Sequence, residues 1–301
     1  MAPVKLALIG LKHMGCEHYT NLLAHVTENR IELRALCDDD PAALKLPAVR
    51  HTPAQLKLLL GRTGVTRTEQ LPLLHELMQQ TCTRPPTCYA DYRKMLDNEA
   101  LDGVIVCTPN HLHKDMVTTL LARDINVLCE KPMAPVTADC DAIIAAEKKS
   151  RAFVQVGLHM RYRHLYRAVK NEAASGRLGT LKKAWCQEFR GDWNPRATRF
   201  PQDDGPDINW RYSQTLSGGS IVEKLCHDFD VFSWWLDARP VQVYAAGGLS
   251  VYSERNTLDH ADIVVEYDSG ATLNVNLCMF APNHRFKGRY MGLIGDKAVL
   301  D

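Results

Sequence analysis

The chain has no run approaching the ~20 consecutive apolar residues that a membrane-spanning helix needs. Its first segment, Met1 to Ile9, meets a glycine and polar residues too early for a secretion signal. Charge of one sign is also missing: 36 basic against 35 acidic residues leave a net charge of +1, which gives no general attraction for nucleic acid. Ten cysteines occur, yet none stands in Cys-x-x-Cys spacing. Cys37, Cys107 and Cys129 fall in apolar strand patterns, where a free thiol behaves as a small hydrophobe. We therefore expect a reduced, cytoplasmic protein without disulfides. His111-x-His113 lacks spaced cysteine or carboxylate partners, so no metal site is expected.

What remains is an ordinary globular composition, 46% hydrophobic and 24% charged. At 301 residues two domains are expected rather than one core. Strand and helix signals alternate up to about residue 156, which argues a parallel sheet covered by helices. Lys5 to Ile9 is a short strand, Gly10-Leu11-Lys12-His13-Met14-Gly15 a glycine turn, and the helical pattern through Tyr19 and Leu22 follows. A second strand, Leu33 to Cys37, ends in Asp38. This order of strand, turn, helix, strand and acid is a dinucleotide-binding pattern. The helix amino terminus would face a pyrophosphate, and Asp38 would accept the adenosine ribose hydroxyls and repel a 2′-phosphate. NAD is thus expected over NADP. Lys12 replaces the middle glycine of the pattern; it could point to solvent, counter the pyrophosphate charge, or obstruct it.

Two later segments carry chemistry. Lys131 follows the apolar run Ile125 to Cys129, at the carboxyl end of a strand, where ligands bind in open α/β sheets. Gly218-Gly219 opens a helix on which Glu223, His227 and Asp230 share one face, while Leu225, Phe229, Phe232 and Leu236 share the other. A lysine and a Glu/His face are suited to moving a proton at a substrate hydroxyl.

Taken with Glu130-Lys131-Pro132, these segments resemble the glucose–fructose oxidoreductase / inositol dehydrogenase family, Gfo/Idh/MocA, over nearly the whole chain. The resemblance implies a Rossmann NAD-binding domain, residues 1–157, and an α+β domain with an open, mainly antiparallel sheet, residues 158–301. It implies catalytic roles for Lys131, His227 and Glu223, with His227 the acid/base. The family position of Glu223 is commonly aspartate. Cofactor contacts would come from Gly10, Lys12, His13, Met14, Gly15, Asp38, Thr108, Pro109, Asn110, His113, Glu130 and Lys131. Substrate contacts would come from Lys131, Arg161, Tyr162, Trp210, Glu223 and His227. Lys131–Pro132 is expected to be cis. The substrate would be a sugar, cyclitol or related polyol, with no nucleic-acid or membrane partner. Net hydrolysis through transient oxidation, or a non-catalytic nucleotide-binding regulator, are the alternatives.

Residues 41–86 exceed the single helix usual in the family, and two helices, Gln55 to Leu60 and Leu71 to Gln80, are expected there. An inert surface elaboration is favoured over a lid. Arg161, Arg163, His164 and Arg167 form a basic cluster on a solvated or phosphate-contacting face. Gly191 to Ser217 is expected as a long loop. In it Trp193, Trp210 and Tyr212, flanked by Asn194, Arg196, Asp207 and Arg211, form either a carbohydrate wall or their own minicore. The chain stops at a hairpin where relatives continue, which reads either as a shortened family member or as an incomplete chain, and an uncovered sheet is expected to mediate a homo-oligomer, dimer or tetramer.

Overall fold

The computed structural model describes residues 2–45, 51–60, 68–82, 84–191, 199–202, 205–281 and 288–301. It divides into two compact units, Met1–Met133 with Ala138–Gly157, and Ala134–Thr137 with Leu158–Asp301.

The first unit contains β1 (Val4–Ile9), α1 (Met14–Thr27), β2 (Ile31–Cys37), α2 (Pro53–Leu60), α3 (Leu71–Thr81), β3 (Thr87–Tyr89), α4 (Tyr92–Asn98), β4 (Gly103–Val106), α5 (His113–Leu121), β5 (Asn126–Cys129), α6 (Thr137–Glu147) and β6 (Val154–Val156). Its sheet runs in the order β3-β2-β1-β4-β5-β6. Every pairing is parallel. All four residues of β4 are buried, as expected for a central strand covered on both faces. Strand order reverses between β1 and β4, and the crevice at their carboxyl ends is where ligands of such sheets bind.

The extra segment is more than a surface appendage. Leu71, Leu74 and Met78 of α3 join Leu11, Tyr19, Leu22 and Leu36 in one core cluster. His75 accepts the Tyr19 hydroxyl at Nδ1 over 3.1 Å and donates from Nε2 to the Ala43 carbonyl at 2.8 Å. Burial lowers the His75 pKa, and the Ala43 hydrogen bond partly opposes that.

The second unit contains α7 (His164–Ala174), β7 (Leu181–Phe189), β8 (Arg199–Gln202), β9 (Gly205–Asn209), α8 (Gln214–Ser217), α9 (Gly219–Leu236), β10 (Pro240–Gly248), β11 (His260–Tyr267), β12 (Thr272–Cys278), β13 (Gly288–Gly295) and β14 (Val299–Leu300). The main sheet has the order β10-β11-β12-β7-β13-β14. It is mainly antiparallel, but β12 and β7 run parallel, so the sheet is mixed. Strand alternation fixes which side chains face the core and leaves the partner's direction undetermined. Leu225, Phe232, Trp235 and Leu236 of α9 pack on Ile263 and Val265 of β11 and Leu273, Val275 and Leu277 of β12.

The segment 191–217 is not simply a loop. It holds the β8–β9 hairpin, a 3-10 turn at Trp210–Tyr212 and α8. Trp193, Asn194 and Arg196 lie outside the described residues.

Candidate active site

Gly10 and Gly15 are required by geometry. Gly10 has φ +82°, and a Cβ there would lie 2.7 Å from the Cys107 carbonyl oxygen. A Cβ on Gly15 would lie 1.8 Å from the Gly10 carbonyl oxygen, so α1 packs directly on the turn. His13 closes the turn in the left-handed region, φ 45°. α1 then begins at Met14, with its amino end next to the turn, the arrangement that receives a phosphate.

Asp38 at the end of β2 is buried, and its Oδ2 accepts the Leu11 N–H at 2.8 Å. Its Oδ1 accepts the Asp40 N–H at 3.0 Å. Burial raises its pKa, against those two hydrogen bonds. Asp38 therefore shapes the glycine turn, and each oxygen keeps a second lone pair for a ligand hydroxyl. Lys12 pairs with Asp40 at 2.7 Å. Its hydrogen bond is the main cause of the lowered Asp40 pKa. The lysine is thus tethered toward the end of β2. These residues fit an adenine dinucleotide despite the missing middle glycine.

At the ends of β4 and β5, His113 is fully buried. Its Nδ1 lies 3.0 Å from the Pro132 carbonyl oxygen and its Nε2 2.9 Å from the Thr108 carbonyl oxygen. It ties the Thr108–Pro109–Asn110 loop to the Lys131–Pro132 loop, and this use of both ring nitrogens leaves it unsuited to a metal. Among the described residues no cluster of three or more His, Cys, Asp or Glu could hold a metal ion. Lys131–Pro132 is cis, as expected. Glu130 is buried, meets His18 Nε2 at 2.8 Å and accepts the Lys131 N–H at 3.1 Å. Burial pushes the Glu130 pKa up, but the His18 hydrogen bond and charge and the Lys131 contacts outweigh it, and the net shift is downward. A Cβ at Gly157 would meet the Glu130 carboxyl at 3.2 Å, so a glycine there makes room for it.

In the second unit the glycine pair is again structural. Gly218 and Gly219 have φ +81° and +77°, and a Cβ on Gly219 would meet Gln214 Oε1 at 2.5 Å. The Gly219 N–H donates to Ser217 Oγ at 2.9 Å. α9 then presents Glu223, His227 and Asp230 along one face, as the spacing predicts. Each has a partner. Glu223, 2% exposed, forms an ion pair with Arg211. His227, 5% exposed, meets the His159 ring edge-on at 4.7 Å. Asp230 binds Arg161 at 2.5 and 2.8 Å.

The other expected substrate residues divide. Arg161 is committed to Asp230 and lies over Trp234, 5.5 Å from its centroid. Tyr162 is exposed. Trp210 is buried, with Arg211 stacked 4.5 Å from its centroid, which favours the minicore over the open wall. His18 and His159 were overlooked in the sequence, and Arg211 was placed there only as a flank of the loop aromatics, not as the partner of Glu223. His18 lies one turn along α1 from Met14 and could have been found by counting turns. His159 follows β6 directly. Nothing local to Arg211 names Glu223 as its partner.

The NAD-binding Rossmann-fold pattern of an oxidoreductase family, GFO_IDH_MocA, matches residues 63–158, and the GFO/IDH/MocA C-terminal domain pattern matches residues 166–301. The inositol 2-dehydrogenase of Salmonella typhimurium strain LT2 is 29% identical over 192 residues, 63% of this chain and 51% of that protein. The 2,7-anhydro-N-acetylneuraminate hydratase of Mediterraneibacter gnavus is 28% identical over 158 residues, 52% of this chain and 39% of that protein. The chain spans about half or less of the length of the curated relatives it matches. Among solved structures, the WlbA dehydrogenase from Bordetella pertussis in complex with NADH and UDP-GlcNAcA superposes with a TM-score of 0.74 at 18% identity, covering 99% of this chain and 77% of that one. Myo-inositol 2-dehydrogenase from Lactobacillus plantarum gives a TM-score of 0.71 at 20% identity, with 99% and 76% covered.

Proposed function

The chain belongs to the Gfo/Idh/MocA oxidoreductase family, and from that premise we propose that it is an NAD-dependent dehydrogenase acting on a secondary hydroxyl of a sugar, cyclitol or related polyol. The observation that carries this reading is His227, buried on α9 against His159, on the same helix face as the Glu223–Arg211 pair. Oxidising an alcohol requires a base for the hydroxyl proton, and an imidazole near its ordinary pKa of ~6.5 suits that task. When bound, NAD supplies the hydride acceptor.

The protein's own residues do the rest. His227 takes the hydroxyl proton. Lys131, at the end of β5, is the first unit's own candidate for hydrogen-bond donation and charge stabilisation. Glu130, fixed by His18, orients the Lys131 backbone. Glu223, held by Arg211, grips a neighbouring hydroxyl. Gly10, Gly15 and the start of α1 receive the pyrophosphate, with Thr108, Pro109, Asn110 and His113 lining the nicotinamide side. Asp38, beside the Lys12–Asp40 pair, selects NAD over NADP. Apolar side chains on the exposed edge strand β10, Val241, Val243 and Tyr244, support assembly as a homo-oligomer. A cytoplasmic location is part of the same reading.

The test is absorbance at 340 nm with NAD and a panel of inositols, aldoses and sugar acids. Reduction of NAD by at least one member is expected. Absence of reduction with every member, although NAD binds, would remove the dehydrogenase reading in favour of a regulator. Hydrolysed product with no net NADH would favour transient oxidation and elimination.

A further inference from the structure

Lys12 is the one departure from the dinucleotide-binding pattern, standing where a glycine would let backbone approach the pyrophosphate. Its backbone is fixed in the turn. The Leu11 N–H donates to Asp38 Oδ2 at 2.8 Å, and the Lys12 carbonyl accepts the Gly15 N–H at 2.9 Å. Its side chain runs to the end of β2, where Nζ meets Asp40 Oδ2 at 2.7 Å. The Asp40 N–H donates in turn to Asp38 Oδ1 at 3.0 Å. The glycine turn, Asp38, Asp40 and the Lys12 ammonium thus form one connected group. Burial raises the Asp38 pKa, and the charge of Lys12 is among the effects that oppose it, so the ammonium lies within electrostatic reach of that carboxylate.

Asp40 divides its two oxygens. Oδ1 accepts the Ala42 N–H at 2.9 Å and caps the 3-10 turn Pro41–Leu44. Oδ2 holds the lysine. The cap accounts for the first contact and leaves the second to be explained. Stability does not explain it, because the two side chains are 33% and 35% exposed, and ion pairs so placed contribute little.

The end of β2 is where the adenosine ribose lies in this fold, and a cation near that point is what admits a 2′-phosphate. The residues that follow β2 are acids, Asp38, Asp39 and Asp40, yet Lys12 brings a cation to them from the glycine turn. A free ammonium on a flexible stem makes a charge-assisted hydrogen bond with a phosphate oxygen that it can reach. Unpaired, Lys12 would favour the phosphorylated cofactor. Paired, its charge is already answered.

We propose that Asp40 is a specificity residue for the cofactor: by holding Lys12, it withholds from a 2′-phosphate the cation that the glycine turn carries. The choice of NAD over NADP then has two parts, repulsion by Asp38 and sequestration of Lys12. The inference rests on the cofactor half of the dehydrogenase reading, and not on the polyol or on His227.

The test is a double-mutant cycle on the full chain, with NAD and NADP affinities read by calorimetry at about 0.15 M salt. Asp40→Asn keeps Oδ1 for the Ala42 N–H and releases the lysine. It should bind NADP roughly tenfold more tightly than wild type does, the scale of one charge-assisted hydrogen bond. NAD affinity should change by less than about threefold. Lys12→Gln should weaken NADP by at most about threefold in the wild-type background, where the lysine is held, and should abolish the whole gain in the Asp40→Asn background. That non-additivity separates release of the lysine from simple removal of a negative charge, whose effects would add. Asp40→Ser, which also caps the turn, carries the same expectation and guards against a folding defect of Asp40→Asn. Unchanged NADP affinity in a folded Asp40→Asn or Asp40→Ser protein, or an equal effect of Lys12→Gln in both backgrounds, overturns the proposal. The two readings fail separately. NAD binding with no gain for NADP ends this inference and leaves the dehydrogenase. The expected cycle without NAD reduction by any polyol does the reverse.

Discussion

Replacing Gly15 by alanine is the sharpest probe of the cofactor turn. The added methyl would lie 1.8 Å from the Gly10 carbonyl oxygen and 2.7 Å from its carbon. Both are backbone atoms, and Gly10 is itself pinned, because its N–H donates to the Cys37 carbonyl at 2.8 Å. Relief requires α1 to withdraw by roughly 1.5 Å, an overpacking defect of about 1–3 kcal/mol or more. We expect the upper end, since no flexible side chain can yield. For a unit of this size each kcal/mol lowers Tm by roughly 2–4 °C, so a loss of about 6–12 °C is expected. The same withdrawal carries the amino end of α1 away from the pyrophosphate, and NAD should bind about tenfold more weakly, equivalent to ~1.4 kcal/mol. Differential scanning fluorimetry with and without NAD reads both effects. A Gly15→Ala protein with wild-type Tm and wild-type NAD affinity would refute the close-packing argument.

Other outcomes follow from the same geometry. Arg211→Met removes the guanidinium from the buried Glu223 carboxylate, and breaking such a pair should lower unfolding free energy by ~3–5 kcal/mol in urea titration; Arg211→Met/Glu223→Gln should recover part of that loss. Glu223→Asp should reorder substrate preference more than it lowers the best rate, measured as kcat/KM across the polyol panel. Asp38→Ala should narrow the preference for NAD over NADP in parallel titrations, and it should also destabilise the turn that Leu11 anchors. Asp259 is held at about 2 because hydrogen bonds from His260 and three backbone N–H groups outweigh the effect of burial. Its folded pKa lies below the unfolded value of 3.8, so it contributes stability above about pH 4, on the order of 2 kcal/mol, which is lost as pH falls toward 2. Urea midpoints between pH 5 and 2.5 should show that decline, and Asp259→Asn should remove this component of it.

The parts legible in the sequence share a cause. β4 reads as a strand because all four of its residues are buried, so the apolar run is continuous. α9 reads as a helix because its packed residues, Leu225, Phe232 and Leu236, recur on one face. The glycines at 10, 15, 218 and 219 mark positions where a side chain cannot fit, and such positions leave a local trace. Contacts between distant residues leave none. Glu188 and Arg289 are 101 residues apart and meet only when β7 and β13 pair. Asp228 looks like a solvated helix residue in sequence, yet it is fully buried. The parallel pairing of β12 with β7 was invisible for the same reason, and so was the burial of α3 against α1, since an amphipathic helix does not name the surface it covers. The glycine turn and the composition of the α9 face were therefore readable and the cis bond was expected from the family resemblance, whereas the partners that hold Glu223, Arg161 and Glu130 were not.

The central claim is that His227 is the base of an NAD-dependent alcohol oxidation. The most direct measurement compares wild-type and His227→Ala proteins for NADH formation at 340 nm with the best polyol of the panel, alongside NAD titrations of both. The account predicts turnover reduced by ~10²- to 10⁴-fold, with NAD affinity unchanged within about twofold, because the groups assigned to the dinucleotide belong to the other unit. Near wild-type turnover in His227→Ala would contradict it and pass the proton to Lys131 or to another group.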